Sequence, residues 1–172
     1  MPYKKITKNT HPIDEIPPDT FAEIGKIVAW WGYLQFQLGA IIREISNLPK
    51  DTGRVLTVGP DLSVLCNIIR TFTKSDHWIK DENIRADLEK LAKDVRDKSS
   101  DRNDYAHGVF GYGENPNEFV RFLMKQPEHR IKPYAEPLKV DDLKKIANDA
   151  RGLWIRAQDI TERLKSSRKK RH

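Results

Sequence analysis

Arg102, Asn103 and His107 are the residues of this 172-residue chain whose types and spacing suit reaction chemistry, and all three lie in Asp101-Arg102-Asn103-Asp104-Tyr105-Ala106-His107-Gly108. A guanidinium carries a fixed charge and presents its donors in a fork that matches phosphate oxygens. An imidazole titrates near neutral pH, so it can take up or give back a proton during a reaction. Together they suit a phosphodiester. The apolar stripe Ile84, Leu88, Leu91, Ala92 and Val95 predicts that the segment closes a helix starting near Asp81. Continued through Ser99, the stripe reaches Arg102 and Ala106, so Arg102 is expected to face the interior or an interface. A guanidinium there needs a partner, and Asp101 and Asp104 are the local carboxylates. His107 falls in the last turn, where the helix dipole favours the protonated ring. Gly108 suits the left-handed position just past a helix. Five residues of ideal helix set Arg102 and His107 about 140° apart, so one helix does not aim both at a single phosphate.

Two plainer arrangements compete with phosphodiester chemistry. Arg102 and His107 could hold a structural polar network. Alternatively Asp97, Asp101, Asp104 and His107 recur at helical spacing and could share a metal ion, although Lys93, Arg96 and Lys98 make a solvated, charge-balanced ridge the simpler account. No metal or cofactor is therefore expected. Cys66, the one cysteine, sits among Val64, Leu65, Ile68 and Ile69 and is expected to be a small core residue, not a catalytic thiol. His129 lies in a polar connector beside Glu128 and Arg130, and His11 and His77 have no partners in the sequence.

The elements that must position the motif follow from periodicity. Residues 1–18, with four prolines, are expected to form an extended arm. Asp19 or Thr20 caps a long helix from Phe21 that ends before Pro49, with Trp30, Tyr33 and Phe36 widening its apolar surface beyond one stripe. Gly25, Gly32 and Gly39 recur every seven residues along it, where another helix could come close. Residues 51–59 are expected to be a connector, and Pro60-Asp61 to open a helix running to about Thr73. After the motif, residues 109–113 and 119–124 flank Glu114-Asn115-Pro116-Asn117 and predict a β-hairpin. Residues 131–140 offer a further short strand, confined to an edge by Pro133 and Pro137. Asp141 or Asp142 caps a last helix to about Leu164. Residues 19–164 thus form one expected domain, and 165–172 a flexible basic tail.

Composition narrows the function classes. Hydrophobic residues make up 38% and charged residues 33%, and no uncharged apolar run reaches membrane-spanning length, so a soluble, cytoplasmic chain without membrane partners is expected. The net charge of +6 owes five cations to Lys165, Arg168, Lys169, Lys170 and Arg171, leaving about +1 for the body. Charge alone does not argue for nucleic acid.

The run Arg102-Asn103 through His107, with Ala106, Gly108 and aromatic Phe110, resembles the Arg-x4-His ribonuclease motif of the HEPN superfamily. The long first helix with its Trp-Gly-Tyr-Leu segment, the motif helix third in order, the inserted hairpin and the closing helix are similar to that family's layout over Phe21 to Leu164. The resemblance implies a mainly α fold: a HEPN-like bundle of four to five helices with a β-hairpin inserted between the motif helix and the last helix. It implies metal-independent RNA cleavage of the toxin or defence type, in which the ribose 2′-hydroxyl attacks the adjacent phosphorus. His107 would be general acid or base, Arg102 would stabilise charge on phosphate oxygens, and Asn103 would orient the scissile group or the histidine. Asp104, Tyr105, Arg130 and Lys132 are the flanking candidates for substrate contact. It also implies a homodimer that joins both motifs in one composite site, with RNA and an antitoxin or operon partner as further partner classes. Two features depart from the pattern. Val109 stands where adenylylated family toxins carry a tyrosine, and the body lacks a strong basic stripe. The alternative is a non-catalytic HEPN-like dimeric module.

Overall fold

The computed structural model describes residues 16–106, 108–112, 119–125 and 132–169, with the backbone alone at residues 50, 101, 122–125, 132–135 and 169. The structure is mainly helical, in the order α1 (Pro18–Ser46), α2 (Lys50–Val58), α3 (Leu62–Thr73), α4 (Glu82–Ala106), β1 (Val109–Tyr112), β2 (Phe119–Lys125), β3 (Lys132–Pro137) and α5 (Val140–Lys169). The three strands form an antiparallel sheet in the order β1-β2-β3 between α4 and α5 in the chain. The expected hairpin and edge strand are both present, and Pro133 and Pro137 sit in β3, on the edge, where a missing N–H costs no ladder bond on the open side. No described helix is long and apolar enough to cross a membrane.

The chain divides into two compact units. One comprises residues 29–100 and 148–172, the other residues 1–28 and 101–147. The first is helical. Trp31, Leu34, Leu38 and Ile41 of α1, Leu65, Cys66 and Ile69 of α3, Ile84, Leu88, Leu91 and Val95 of α4, and Leu153, Ala157 and Ile160 of α5 are buried. The α4 residues are the stripe predicted from helical periodicity, and the burial of all these side chains supplies most of the stabilisation. Asp61 caps α3 by accepting the Val64 N–H at 2.9 Å, and that hydrogen bond holds its carboxyl below the ordinary carboxylate range. The Asp81 carboxylate caps α4 in the same way, accepting from the N–H groups of Asn83 and Ile84. α1 stops at Asn47, whose φ of 53° is the left-handed conformation asparagine tolerates.

Residues 51–59 depart from expectation. They form α2, not a connector, although Gly53 lies inside it. Gly53 and Gly39 are where α1 and α2 approach: a Cβ on Gly53 would lie 2.8 Å from Arg43 Cγ, and one on Gly39 would lie 3.1 Å from Thr57 Cβ. Arg43 Nη1 donates to Thr57 Oγ1 at 2.7 Å across this contact. Tertiary packing here overrides the helix propensity lost at glycine, about 1 kcal/mol. Of the three glycines spaced by seven, Gly39 is in close packing, whereas Gly25 and Gly32 face open space.

α5 runs on to Lys169, so Lys165 and Arg168, expected in a flexible tail, are helical. Lys165 pairs with Glu162, and Arg168 lies 4.0 Å from Glu44 and donates to Asn47. The proposed N-terminal arm up to residue 15 and the last three residues of the tail lie outside the described residues. Cys66 is fully buried, and burial pushes its thiol up to about 11, so it is the core residue expected.

Candidate functional site

The last turn of α4 carries the motif, and the smaller unit surrounds that turn with the sheet. Arg102 is half-buried, as its place on the extended core stripe predicted. Its Nη1 donates to Asn103 Oδ1 at 2.9 Å, while its Nε is buried and makes no hydrogen bond among the described residues. No described carboxylate lies within ion-pair distance of Arg102. The expected pairing with Asp104 is absent, because residues two apart on a helix point about 200° from each other. The Asp101 side chain lies outside the described residues. Asn103 is exposed, and its Oδ1 accepts the hydrogen bond from Arg102.

Asp104 and Tyr105 turn instead toward a residue that the sequence did not single out. Arg121, in the middle strand β2, is 6% exposed. Its Nη2 donates to Glu136 Oε2 at 2.8 Å, its Nη1 lies 3.6 Å from Asp104 Oδ2, and its guanidinium carbon sits 4.3 Å from the Tyr105 ring centroid. The strand register places Phe110, Arg121 and Glu136 side by side on adjacent strands. The hint in the sequence was one charge inside the apolar run Phe119-Val120-Arg121-Phe122-Leu123-Met124. What hid Arg121 was that its carboxylate partners lie 15 and 17 residues away, Glu136 meeting it through that register and Asp104 from the end of α4.

Gly108 serves the site differently from the expected helix stop. No described glycine has a positive φ. A Cβ on Gly108 would instead lie 2.5 Å from the Asp104 carbonyl oxygen and 3.0 Å from Phe110 Cζ, so the glycine is needed for the close return of the chain into β1. Beyond it, Phe110 and Tyr112 both pack on Phe119, with ring centroids 6.3 Å and 5.5 Å apart.

Of the other candidates, His107, Arg130 and His129 lie outside the described residues, and Lys132 is described only as backbone in β3. No group of three His, Cys, Asp or Glu among the described residues could hold a metal ion. A groove between α1 and α5 in the helical unit, lined by Phe36, Gln37, Arg43, Glu44, Ile155 and Asp159, contains none of the motif residues. Set against known proteins, the chain matches no family model, no curated protein and no solved structure.

Proposed function

We propose that the chain is a metal-independent endoribonuclease of the HEPN type, acting in the cytoplasm as a homodimer with a composite Arg/His site. The observation that carries this reading is the state of Arg102. It is a half-buried guanidinium at the end of the motif helix, steered by Asn103 and not neutralised by any described carboxylate. Such a cation is suited to charge that develops on phosphate oxygens. In the proposed reaction His107 takes the proton of the ribose 2′-hydroxyl, whose oxygen bonds to the adjacent phosphorus. The phosphorus–5′-oxygen bond breaks, and a protonated histidine, that of the second subunit, returns a proton to the leaving 5′-oxygen. The products are a cyclic phosphate and a 5′-hydroxyl end, and no metal or cofactor takes part.

The dimer is part of the proposal because the five-residue spacing of Arg102 and His107 would, on an ideal helix, aim them about 140° apart. Tyr33 and Phe36 of α1, 57% and 67% exposed, offer apolar surface for it. Asp104 and Tyr105 are held by Arg121, which favours a structural role for them over direct substrate contact. RNA is the proposed substrate class, and an antitoxin or operon partner the proposed regulator. The same Arg121 cluster favours, as a second reading, a non-catalytic dimeric module with the motif as a polar network.

The deciding experiment incubates purified protein with mixed RNA in EDTA, comparing wild type with Arg102→Ala and His107→Ala. Loss of a cyclic phosphate-generating cleavage by about 10²-fold or more in both variants is expected. No cleavage by wild type, or equal cleavage by all three, rejects the ribonuclease in favour of the binding module.

A further inference from the structure

We infer that Arg121 is a positioning residue for the motif: its buried guanidinium is the strut by which the sheet fixes the rotation of the last turn of α4. The inference rests on the ribonuclease reading for its effect on rate, and on geometry alone for the strut.

Burying a guanidinium is expensive, and a strand that needed only packing would carry an aliphatic residue here. Arg121 is buried all the same, while its partners Asp104 and Glu136 have side chains 51% and 52% exposed. The cation is thus the fixed member, and the carboxylates come to it. From one side it receives Glu136 of β3, and from the other it touches Asp104 and Tyr105, consecutive residues of α4. Consecutive helical residues project about 100° apart. Contacts at two such azimuths from a single rigid plane prevent the turn from rotating about its axis. Arg102 and Asn103 ride on that same turn, so their direction is set with it.

The alternative use of a buried arginine, as a phosphate clamp, fits less well. Its Nε and Nη1 make no hydrogen bond among the described residues, but two carboxylates already balance its single charge, and a phosphate beside them would meet like charge. Arg102, without a described carboxylate, is the better phosphate ligand.

The test compares the full-length protein with Arg121→Met, Arg121→Lys and Glu136→Gln by amide hydrogen exchange and by RNA cleavage. In Arg121→Met, exchange at residues 103–106 is expected to rise about tenfold or more while residues 88–95 stay at the wild-type rate. Cleavage per folded molecule is expected to fall about tenfold in kcat, with KM unchanged and with the salt dependence of RNA binding unchanged. Arg121→Lys should recover part of both losses. Unchanged exchange at 103–106 overturns the inference, as does a rate that falls only with the folded fraction. A salt slope shallower by about one overturns it in favour of a phosphate contact. If Arg121→Met does not fold, Glu136→Gln, altered at a half-exposed carboxylate, gives the same readings. A wild type that cleaves no RNA rejects the ribonuclease, and the exchange comparison then still decides whether Arg121 holds the turn.

Discussion

The two compact units bury different chemistry. In the helical unit the buried polar side chains are Thr57 and Thr161, and each hydroxyl donates to the carbonyl four residues earlier, at 2.8 Å. The Trp31 indole N–H is buried there as well, without an acceptor among the described residues. The charged groups of that unit stay at its surface, in pairs such as Lys98 with Asp149, Arg156 with Asp94 and Arg163 with Asp87 that tie α4 to α5. In the sheet-bearing unit the buried polar residues include two charges, Glu23 and Arg121. Apolar cores are satisfied by volume alone, whereas a buried charge must be met by particular atoms in particular places. The first unit is therefore built for stability. The second spends some of that stability on fixed orientation, and the motif turn is what it orients.

Substitutions in the helical unit can break or sharpen this contrast. The largest effect is expected from Leu88→Ala, which empties a fully buried site and should cost about 2–5 kcal/mol in chemical denaturation. RNA cleavage per folded molecule should remain at the wild-type level, and a specific loss of activity would mean that the units do not divide labour as described. A smaller effect is expected from the buried thiol. Cys66 is raised to about 11, above its ordinary 9.0, so the unfolded chain ionises first as pH rises. Stability is intact below about pH 9 and declines toward pH 11, by up to about 3 kcal/mol at 1.36 kcal/mol per unit. Denaturation midpoints of wild type and Cys66→Ala over that window should converge as pH increases, and parallel curves would contradict a dry core around Cys66. The smallest effect is expected from Asp94→Asn. It removes a half-exposed pair with Arg156 and should change stability by less than about 1 kcal/mol. A loss several times larger would show that charge matters as much in this unit as in the other.

Much of the architecture was legible because periodicity is local. The stripe Ile84 to Val95, the helix starts near Asp61 and Asp81, and the hairpin on either side of residues 113–118 depend on spacing within one element and formed where expected. Asp19, Thr20, Asp141 and Asp142, expected as caps, lie instead inside the first turns of α1 and α5. Helix α2 was not legible, since Gly53 and Gly59 mark loops more often than helices and only the packing of Arg43 and Thr57 explains the exception. Within the candidate site, the half-buried placement of Arg102 followed from extending a stripe, but its partner did not. Asp104, two residues further on, is directed elsewhere, toward Arg121.

The sequence by itself determined which residues are apolar, that α1, α3, α4, α5 and the hairpin form in this order, and that Arg102 and Asn103 lie in the last turn of α4. Those properties are set by propensity, capping and the 3.6-residue and two-residue periods, all of which act over a few neighbours. Only the tertiary structure decided that Asp104 belongs to Arg121, that Gly108 is needed for a close approach and not for a left-handed turn, and that the middle strand hides a cation. These depend on strand register and on the return of the chain past the helix end, and a register shift of one residue would have sent Arg121 to the other face of the sheet.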